Sequence, residues 1–251
     1  MKVLIITGGT LKKEFLVRFL KAHAFDETIV VDGALDMVSE LGISFQSLVG
    51  DFDTVKPSVL NPYLEQNGLY VEKHCPQKNE TDTELAVNLG AAKILDGRKD
   101  PKKDKGEDEI IILGATGGRL DHMLGNIHLV YKALQEGISC CLYDEDNCLF
   151  MVEGFKQLGK EAKNYRYVSF LPFTDQAEGV TLEGFLYPLH DARLEKGSTL
   201  GISNEICGDY PSVSVKKGVL IGILSRDPSN GENQVPQGHR NEAKNDKTNR
   251  Q

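Results

Sequence analysis

The N-terminal part of the chain alternates short apolar runs with helical segments, and this alternation constrains the fold more than any other feature. In the two clearest units, the apolar runs Lys2–Ile6 and Glu109–Leu113 lead into a glycine turn and then a helix. Strands that alternate with helices in this way form a mainly parallel sheet with helices packed on it. The sequence therefore predicts an α/β fold. Further strands are predicted at 28–31, 47–49, 69–71, 139–143 and 149–152, and helices at 11–24, 34–41, 81–95 and 120–135.

The pattern changes after residue 153. Short alternating runs separated by turn residues predict a smaller all-β unit, a β-sandwich that requires no helix. From residue 228 onward the chain is polar with almost nothing apolar, which predicts a disordered tail. We therefore expect an α/β unit at 1–153, a β-sandwich at 154–227 and a tail at 228–251. The strands of the sandwich are predicted at 165–171, 180–186, 198–203, 212–215 and 219–224.

Aspartates follow the predicted strands at the edge where ligands of α/β sheets bind, beyond the carboxyl ends of the strands. Asp32 follows the second strand, and Asp51 and Asp53 follow the third. In an extended segment, Asp51 and Asp53 project to one side while Phe52 turns into apolar packing. Two close carboxylates raise each other's pKa unless a hard cation such as Mg²⁺ accepts their oxygens, so the pair predicts a metal site. The alternative is that these aspartates only cap and charge a helix opened by Pro57.

Two helix starts add polar residues to the same edge. Thr81 and Glu84 form a capping box, which places Asp82 in the first turn of its helix. Taken alone, Asp82 is explained by the helix dipole, which favours an acidic residue there. Arg119 and Asp121 lie on the first turn of the helix after the second glycine turn. Carboxylates that hold Mg²⁺, together with an arginine that offsets charge on a transferred group, match the requirements of phosphoryl transfer.

Charge and composition exclude several classes of function. A formal net charge of -8 and a pI near 5.3 argue against binding to nucleic acid. No apolar run approaches the roughly 20 residues that cross a bilayer, and no signal-peptide pattern precedes the first strand, so we expect no membrane association and a cytoplasmic protein. The five cysteines include no Cys-x-x-Cys, which argues against a disulfide framework and a zinc site.

Several stretches, in order along the chain, resemble motifs of the thiamin pyrophosphokinase family, whose members move a pyrophosphoryl group from ATP to thiamin. The departures are Ala34 for a glycine, Thr54 for a serine, and Asn79 for an aspartate, and the last weakens any metal-binding role for that position. The matching stretches are Asp-Gly-Ala at 32–34, Gly-Asp-Phe-Asp-Thr at 50–54, Lys-Asn-Glu-Thr-Asp at 78–82, the whole of 114–122, and, in the second unit, 184–189 with 202–205.

The resemblance implies a homodimer in which the α/β unit binds Mg-ATP and carries the catalytic residues, while the β-sandwich supplies part of the thiamin pocket. By position, Asp51, Asp53 and Asp82 would hold Mg²⁺ with Asp32 nearby. Arg119 and Asp121 would face the reacting phosphates and the substrate. Contacts to ATP are implied for Asp32, Lys78, Thr81 and Arg119, and contacts to thiamin for Asp121, Ser203 and Asn204.

Two alternatives remain open from the sequence. A related diphosphokinase that acts on a hydroxymethyl pterin would use the same aspartates, and only the pocket around Tyr187, Ser203 and Asn204 would distinguish it. A non-catalytic sensor of nucleotide or thiamin is the other class, although binding alone does not need so many carboxylates. An amide at Asn204 suits an aminopyrimidine ring, but Ser-Asn also suits a simple turn before Gly208. The group that accepts the hydroxyl proton is left open.

Overall fold

The computed structural model describes residues 1–75, 77, 79–98 and 108–227, which form one mixed sheet of eleven strands with five α-helices. Lys78, the greater part of the predicted loop at 96–108, and the predicted tail at 228–251 lie outside the described residues. The strands are β1 (Lys2–Ile6), β2 (Glu27–Val31), β3 (Ser47–Gly50), β4 (Tyr70–Lys73), β5 (Glu109–Leu113), β6 (Ser139–Tyr143), β7 (Asn147–Gln157), β8 (Tyr167–Pro172), β9 (Gln176–Glu183), β10 (Leu189–Glu195) and β11 (Ser212–Ser225). The helices are α1 (Lys13–Ala22), α2 (Ala34–Glu40), α3 (Pro57–Leu64), α4 (Asp82–Gly97) and α5 (Leu120–Gln135).

Strands β1 to β6 form the parallel half of the sheet, in the order β6-β5-β1-β2-β3-β4. Strand β1 lies at its centre, and its residues 3–6 are fully buried. Val3 and Ile5 face the core formed with α4 and α5, whereas Leu4 and Ile6 face the core formed with α1, α2 and α3. Helices therefore cover both faces, and this explains why the strand is apolar throughout rather than alternating. The α/β prediction is confirmed.

The antiparallel half continues the same sheet through two long strands. β7 pairs with β6 on one side and, antiparallel, with β11 on the other. On its second side β11 pairs with β9 along its first part and with β8 along its last part. Side chains around the fully buried Phe170 form the core of this half. The boundary predicted at 153 falls inside β7.

Part of the prediction for this half is wrong. The predicted strand at 198–203 is a series of turns, and the strand before β11 is instead β10, Leu189–Glu195. Because β10 is an edge strand with mostly exposed polar and charged side chains, it lacks the apolar alternation that marks a strand. The two strands predicted at 212–215 and 219–224 form the single strand β11, whose register shifts between Val215 and Leu220. A 3₁₀ helix at Lys160–Asn164 was not expected.

The helices also bear on the membrane prediction. Among the described residues, no helix is long and apolar enough to cross a bilayer.

Helix α3 begins at Pro57, where the fixed φ of proline suits the first helical position and its missing N–H is not needed. Helices α4 and α5 begin near the carboxyl ends of the parallel strands, so their first turns lie at the edge of the sheet where the aspartates were predicted.

Candidate active site

Three aspartates meet beyond the carboxyl ends of β2 and β3. One carboxylate oxygen each from Asp32, Asp51 and Asp53 lies within 4.8 Å of the others. Asp32 and Asp51 are half-buried, whereas Asp53 is exposed. We call these three residues the aspartate cluster. Oxygen donors at this spacing are the ligand type that Mg²⁺ prefers, so the cluster fits a hard divalent cation.

Asp32 organises the backbone of the cluster. Its N–H donates to the Val49 carbonyl at 2.9 Å, and its Oδ1 accepts the Phe52 N–H at 3.1 Å. Its Oδ2 accepts the Thr54 hydroxyl at 2.9 Å, a contact that was not predicted from the sequence. A Cβ at Gly50 would lie 3.0 Å from the Asp32 Cβ, which explains the glycine at the end of β3.

The segment that carries Asp51 and Asp53 is a turn and not the extended segment from which their shared side was inferred. Phe52 has a left-handed backbone with φ of 62°, and its ring is 5% exposed in the apolar core. The Asp53 N–H donates to Asp51 Oδ1 at 3.2 Å. A left-handed backbone is rare for a bulky residue, because its Cβ crowds the following carbonyl. Burial of the Phe52 ring thus helps to hold a turn that leaves both carboxylates on the side of Asp32.

Electrostatic repulsion within the cluster affects Asp53 most clearly. The neighbouring Asp51 carboxylate raises the pKa of Asp53, and desolvation and the charges of Asp32 and Asp82 add to the effect. Asp82 begins α4, where the Thr81 hydroxyl accepts the Glu84 N–H at 3.1 Å, as the capping box predicts. Asp82 therefore acts on the cluster through its charge, while the close contact is made by Asp32, Asp51 and Asp53.

Arg119 and Asp121 form a second polar group, at the start of α5. Arg119 Nε donates to Asp121 Oδ1 at 3.1 Å, and its terminal nitrogen donates to Asp121 Oδ2. This bidentate pair, aided by the His122 N–H that donates to Asp121 Oδ1 at 2.9 Å, lowers the pKa of Asp121 to about 2. Asp121 is therefore ionised at neutral pH, and the guanidinium is held at the first turn of the helix.

The two glycine turns pack against each other beside these groups. The Thr7 hydroxyl donates to the Gly114 carbonyl at 2.7 Å. A Cβ at Gly9 would lie 2.0 Å from that same carbonyl oxygen, so only glycine fits. Gly117 has φ of 77°, and a Cβ there would lie 2.9 Å from the Thr10 hydroxyl oxygen. The turn after β1 and the turn after β5 therefore form one close-packed unit that leads directly into Arg119.

A hollow of about 220 Å³ adjoins Asp121 between the starts of α4 and α5. Its wall includes the buried amide of Asn126, which donates to the Ala115 carbonyl at 2.9 Å. Glu84 in the rim forms an ion pair of 2.9 Å with Lys132. The hollow is lined by Thr81, Glu84, Asp121, His122, Gly125, Asn126 and Leu129.

Ser203 and Asn204 lie in the antiparallel half, away from the aspartate cluster. The Asn204 side chain is 4% exposed, with Oδ1 accepting the N–H groups of Tyr187 and Glu205 at 2.9 Å each. Its Nδ2 donates to the Tyr187 carbonyl at 2.7 Å. Ser203 is exposed and left-handed, with φ of 57°, and its N–H donates to the Ser169 hydroxyl at 3.0 Å. The Asn204 amide thus fixes two loops to each other, and the Ser203 side chain is presented at the surface.

Comparisons with known proteins match both halves of the chain. The model of the thiamin pyrophosphokinase catalytic domain matches residues 21–142, and the model of the thiamin pyrophosphokinase vitamin B1 binding domain matches residues 157–220. The chain is 34% identical to thiamine pyrophosphokinase of Bacillus subtilis (strain 168) over 236 residues, which cover 90% of this chain and 100% of the relative.

Solved structures give the same match in three dimensions. A crystal structure of thiamine pyrophosphokinase from Bacillus subtilis superposes with a TM-score of 0.77 at 32% identity, covering 91% of this chain and 100% of that one. A crystal structure of thiamin pyrophosphokinase from Geobacillus thermodenitrificans superposes with a TM-score of 0.74 at 30% identity, covering 91% and 99%.

Proposed function

This chain belongs to the thiamin pyrophosphokinase family, and on that premise we propose how its own residues transfer a pyrophosphoryl group from ATP to thiamin. The products are thiamin diphosphate and AMP. The observation that carries the assignment of the site is the aspartate cluster, three carboxylates within 4.8 Å at the ligand-binding edge of an α/β sheet. Carboxylates at this spacing repel one another and repel phosphates unless a cation lies between them.

Asp51, Asp53 and Asp82 hold Mg²⁺ in this proposal, with Asp32 as the residue that shapes the cluster. When held by these carboxylates, Mg²⁺ would supply positive charge that offsets the charge developing on the phosphates. Asp32 is engaged with the Phe52 N–H and the Thr54 hydroxyl, so it fixes the turn on which Asp51 and Asp53 lie. The charge of Asp82 reaches Asp53, which supports a place for Asp82 at the same cation.

Arg119 contacts the reacting phosphates from the other side of β1. Two strand spacings, about 10 Å, separate β5, which leads to Arg119, from β2, which leads to Asp32. A triphosphate held between them has metal-binding carboxylates at one end and a guanidinium at the other. Asp32, Thr81 and Arg119 are the proposed ATP contacts among the described residues, and Lys78 is proposed from the motif alone.

The chemical step joins the thiamin hydroxyl oxygen to the β-phosphorus of ATP and breaks the bond from that phosphorus to the oxygen retained by AMP. The hydroxyl proton leaves as the new bond forms. Asp121, with its pKa near 2, is a weak base at neutral pH. We therefore assign Asp121 to holding Arg119 and to contacting thiamin in the adjoining hollow, and not to accepting the proton.

Ser203 and Asn204 are proposed to serve the thiamin pocket of a second copy of the chain. Asn204 bridges to Val168 on β8, and six strands lie between β8 and β3. At about 4.8 Å a strand, this places the Asn204 loop roughly 35 Å along the sheet from the aspartate cluster. A homodimer brings the two together. Exposed apolar side chains at both places support such an interface: Leu120 and Leu124 on α5, and Leu186, Tyr187, Leu200 and Ile202 around Asn204.

The activity is tested by incubating the protein with Mg-ATP and thiamin and measuring AMP and thiamin diphosphate. A parallel incubation with a hydroxymethyl pterin tests the other acceptor. Equal amounts of AMP and thiamin diphosphate are expected when thiamin is the acceptor, and no AMP is expected with the pterin. Binding of ATP and thiamin without formation of AMP would identify a sensor.

The shared site is tested by co-assembling the Asp53→Asn and Asn204→Ala variants. A mixed dimer has one site free of both changes and should therefore regain activity. No gain on mixing would contradict a site shared between copies.

A further inference from the structure

We propose that Thr116 and Asp144 are positioning residues, which fix the glycine turn that carries Arg119. The inference rests on the proposed contact of Arg119 with the reacting phosphates. Neither residue is expected to contact substrate. Their effect comes through the backbone between β5 and α5.

The contact joins two turns that are far apart in sequence. The Thr116 hydroxyl donates to Asp144 Oδ2 at 2.8 Å across 28 residues. Asp144 begins the turn between β6 and β7, and its Oδ1 accepts the N–H groups of Asp146 and Asn147 at 2.9 and 2.8 Å. The Asn147 amide donates to the same oxygen at 3.0 Å. Asp144 is therefore a rigid acceptor, held by its own turn before Thr116 reaches it.

A second tie connects the β6–β7 turn to the N-terminal glycine turn. Glu145 forms ion pairs with Lys12 at 2.5 Å and with Arg18 at 3.7 Å. Lys12 directly precedes α1, and the turn before it packs against the Gly114 carbonyl and Gly117. The glycine turn before Arg119 is thus held from two sides, by Asp144 through Thr116 and by the turn after β1 through close packing.

The position of Thr116 explains why this hydroxyl matters. Gly117 and Gly118 follow it with φ of 77° and 65°, and Arg119 comes next. Glycines have the greatest backbone freedom and no side chain that packs. Thr116 is therefore the last side chain that ties the turn to the sheet before Arg119. A displacement of about 1 Å at a reacting group can cost about 100-fold in rate.

The first experiment compares Thr116→Val with Thr116→Ser. Valine keeps the shape and removes the donor, so kcat is expected to fall roughly 10-fold, while serine restores most of it. Asp144→Asn weakens the same acceptor and should also lower kcat, and it serves as the measurement if Thr116→Val does not fold.

Thr174→Val is the matched control. The Thr174 hydroxyl likewise ties together segments that are far apart in sequence, because it donates to the Gln176 carbonyl at 2.8 Å and accepts the Val219 N–H at 3.1 Å, but it lies in the antiparallel half. Its loss should lower the Tm and leave kcat unchanged.

The second experiment is a double-mutant cycle with Arg119→Gln. If Thr116 acts through Arg119, then Thr116→Val should cost little in the Arg119→Gln background, so the two losses are not additive. Fully additive losses, or no loss of kcat in both Thr116→Val and Asp144→Asn, would overturn the inference while leaving the role of Arg119 intact. Unchanged activity of Arg119→Gln alone would instead remove the proposed role of Arg119, and the inference with it.

Discussion

The aspartate cluster and the glycine turn that carries Arg119 both place carboxylates at one edge of the sheet. The neighbouring charges are negative in the cluster and positive beside Arg119. Asp53 and Asp121 are both exposed, yet the pKa of Asp53 is raised by Asp51 and the pKa of Asp121 is lowered to about 2 by Arg119. Solvent exposure is similar, so the neighbouring charge makes the difference. The turn before Arg119 contains its own counter-charge, whereas the cluster is proposed to take a cation from solution.

The largest effect is expected from removing one charge of the cluster. Asp51→Asn or Asp53→Asn should lower turnover at limiting Mg²⁺ by at least about 100-fold, because a ligand of the charge-stabilising metal is lost. The Tm in the absence of metal should not fall, since each change relieves repulsion. Asp175→Asn, at an exposed aspartate of the antiparallel half, is the control. Near-normal turnover of both cluster variants would show that the cluster does not hold the catalytic metal.

Asn204 provides an uncharged comparison with these two groups of charged residues, because the polar atoms of its side chain form hydrogen bonds within the fold. Asn204→Ala leaves the N–H groups of Tyr187 and Glu205 without their acceptor, and should cost about 1–3 kcal/mol of unfolding free energy. It should also lower kcat/KM for thiamin and leave the affinity for Mg-ATP unchanged. Asn204→Asp should not restore the stability, because it places a buried carboxylate oxygen against the Tyr187 carbonyl that the amide donates to. Equal losses for both substrates, or none for thiamin, would contradict the assignment of this loop to the acceptor.

The next largest effect is expected on the Tm when Mg²⁺ is added, which should distinguish the aspartate cluster from the Arg119–Asp121 pair. A ligand that binds only the folded state at ten times its Kd contributes about 1.4 kcal/mol of stability. The wild-type Tm should therefore rise with Mg²⁺, and the increase should disappear in the double variant Asp51→Asn, Asp53→Asn. The Asp121→Asn variant should retain it, because that carboxylate already faces a guanidinium. A Tm increase of equal size in all three proteins would indicate non-specific binding.

The smallest effects are expected on acid titration without metal. A lowered folded pKa means that the Asp121 pair stabilises the fold above the usual pKa of 3.8, and that this contribution is lost as the pH falls toward 2. The raised folded pKa of Asp53 has the opposite effect, because ionised Asp53 destabilises the fold by repulsion. This repulsion is relieved as the pH falls through the raised pKa. Carbon-detected NMR of the side-chain carboxyls should find Asp53 titrating above Asp121, and Arg119→Gln should raise the pKa of Asp121. The opposite order would contradict the electrostatic comparison.

The parallel half was largely predictable because its signals are local. Apolar strands buried on both faces, the Thr81 capping box and the glycine turns all appear within short windows of sequence, and the edge they share follows from the parallel topology. The meeting of Asp51 and Asp53 was predicted for the wrong reason. An extended segment was expected, but the left-handed Phe52 makes a turn.

Other features depend on contacts that no short window contains. The bond from Thr116 to Asp144 joins two different loops, and neither residue stands out in sequence. Strand β10 was missed because, as an edge strand, it pairs with β9 alone among the described strands and keeps charged side chains in solvent. The bonds of Asn204 with Tyr187 likewise come from loops brought together by the fold.

The place of β11 in the sheet has a consequence for synthesis on the ribosome. It is the last described strand to emerge, yet it is the neighbour of β7, β8 and β9. Until β11 is synthesised, one edge of β7 is unpaired along most of its length. This edge includes Cys148, which pairs with Leu224 of β11 in the complete sheet. The strand pairs of the parallel half involve only residues up to β6, so these strands can pair first, as N-terminal regions do. A stop codon before residue 212 would therefore release a chain that lacks β11 and has an open, aggregation-prone edge at β7.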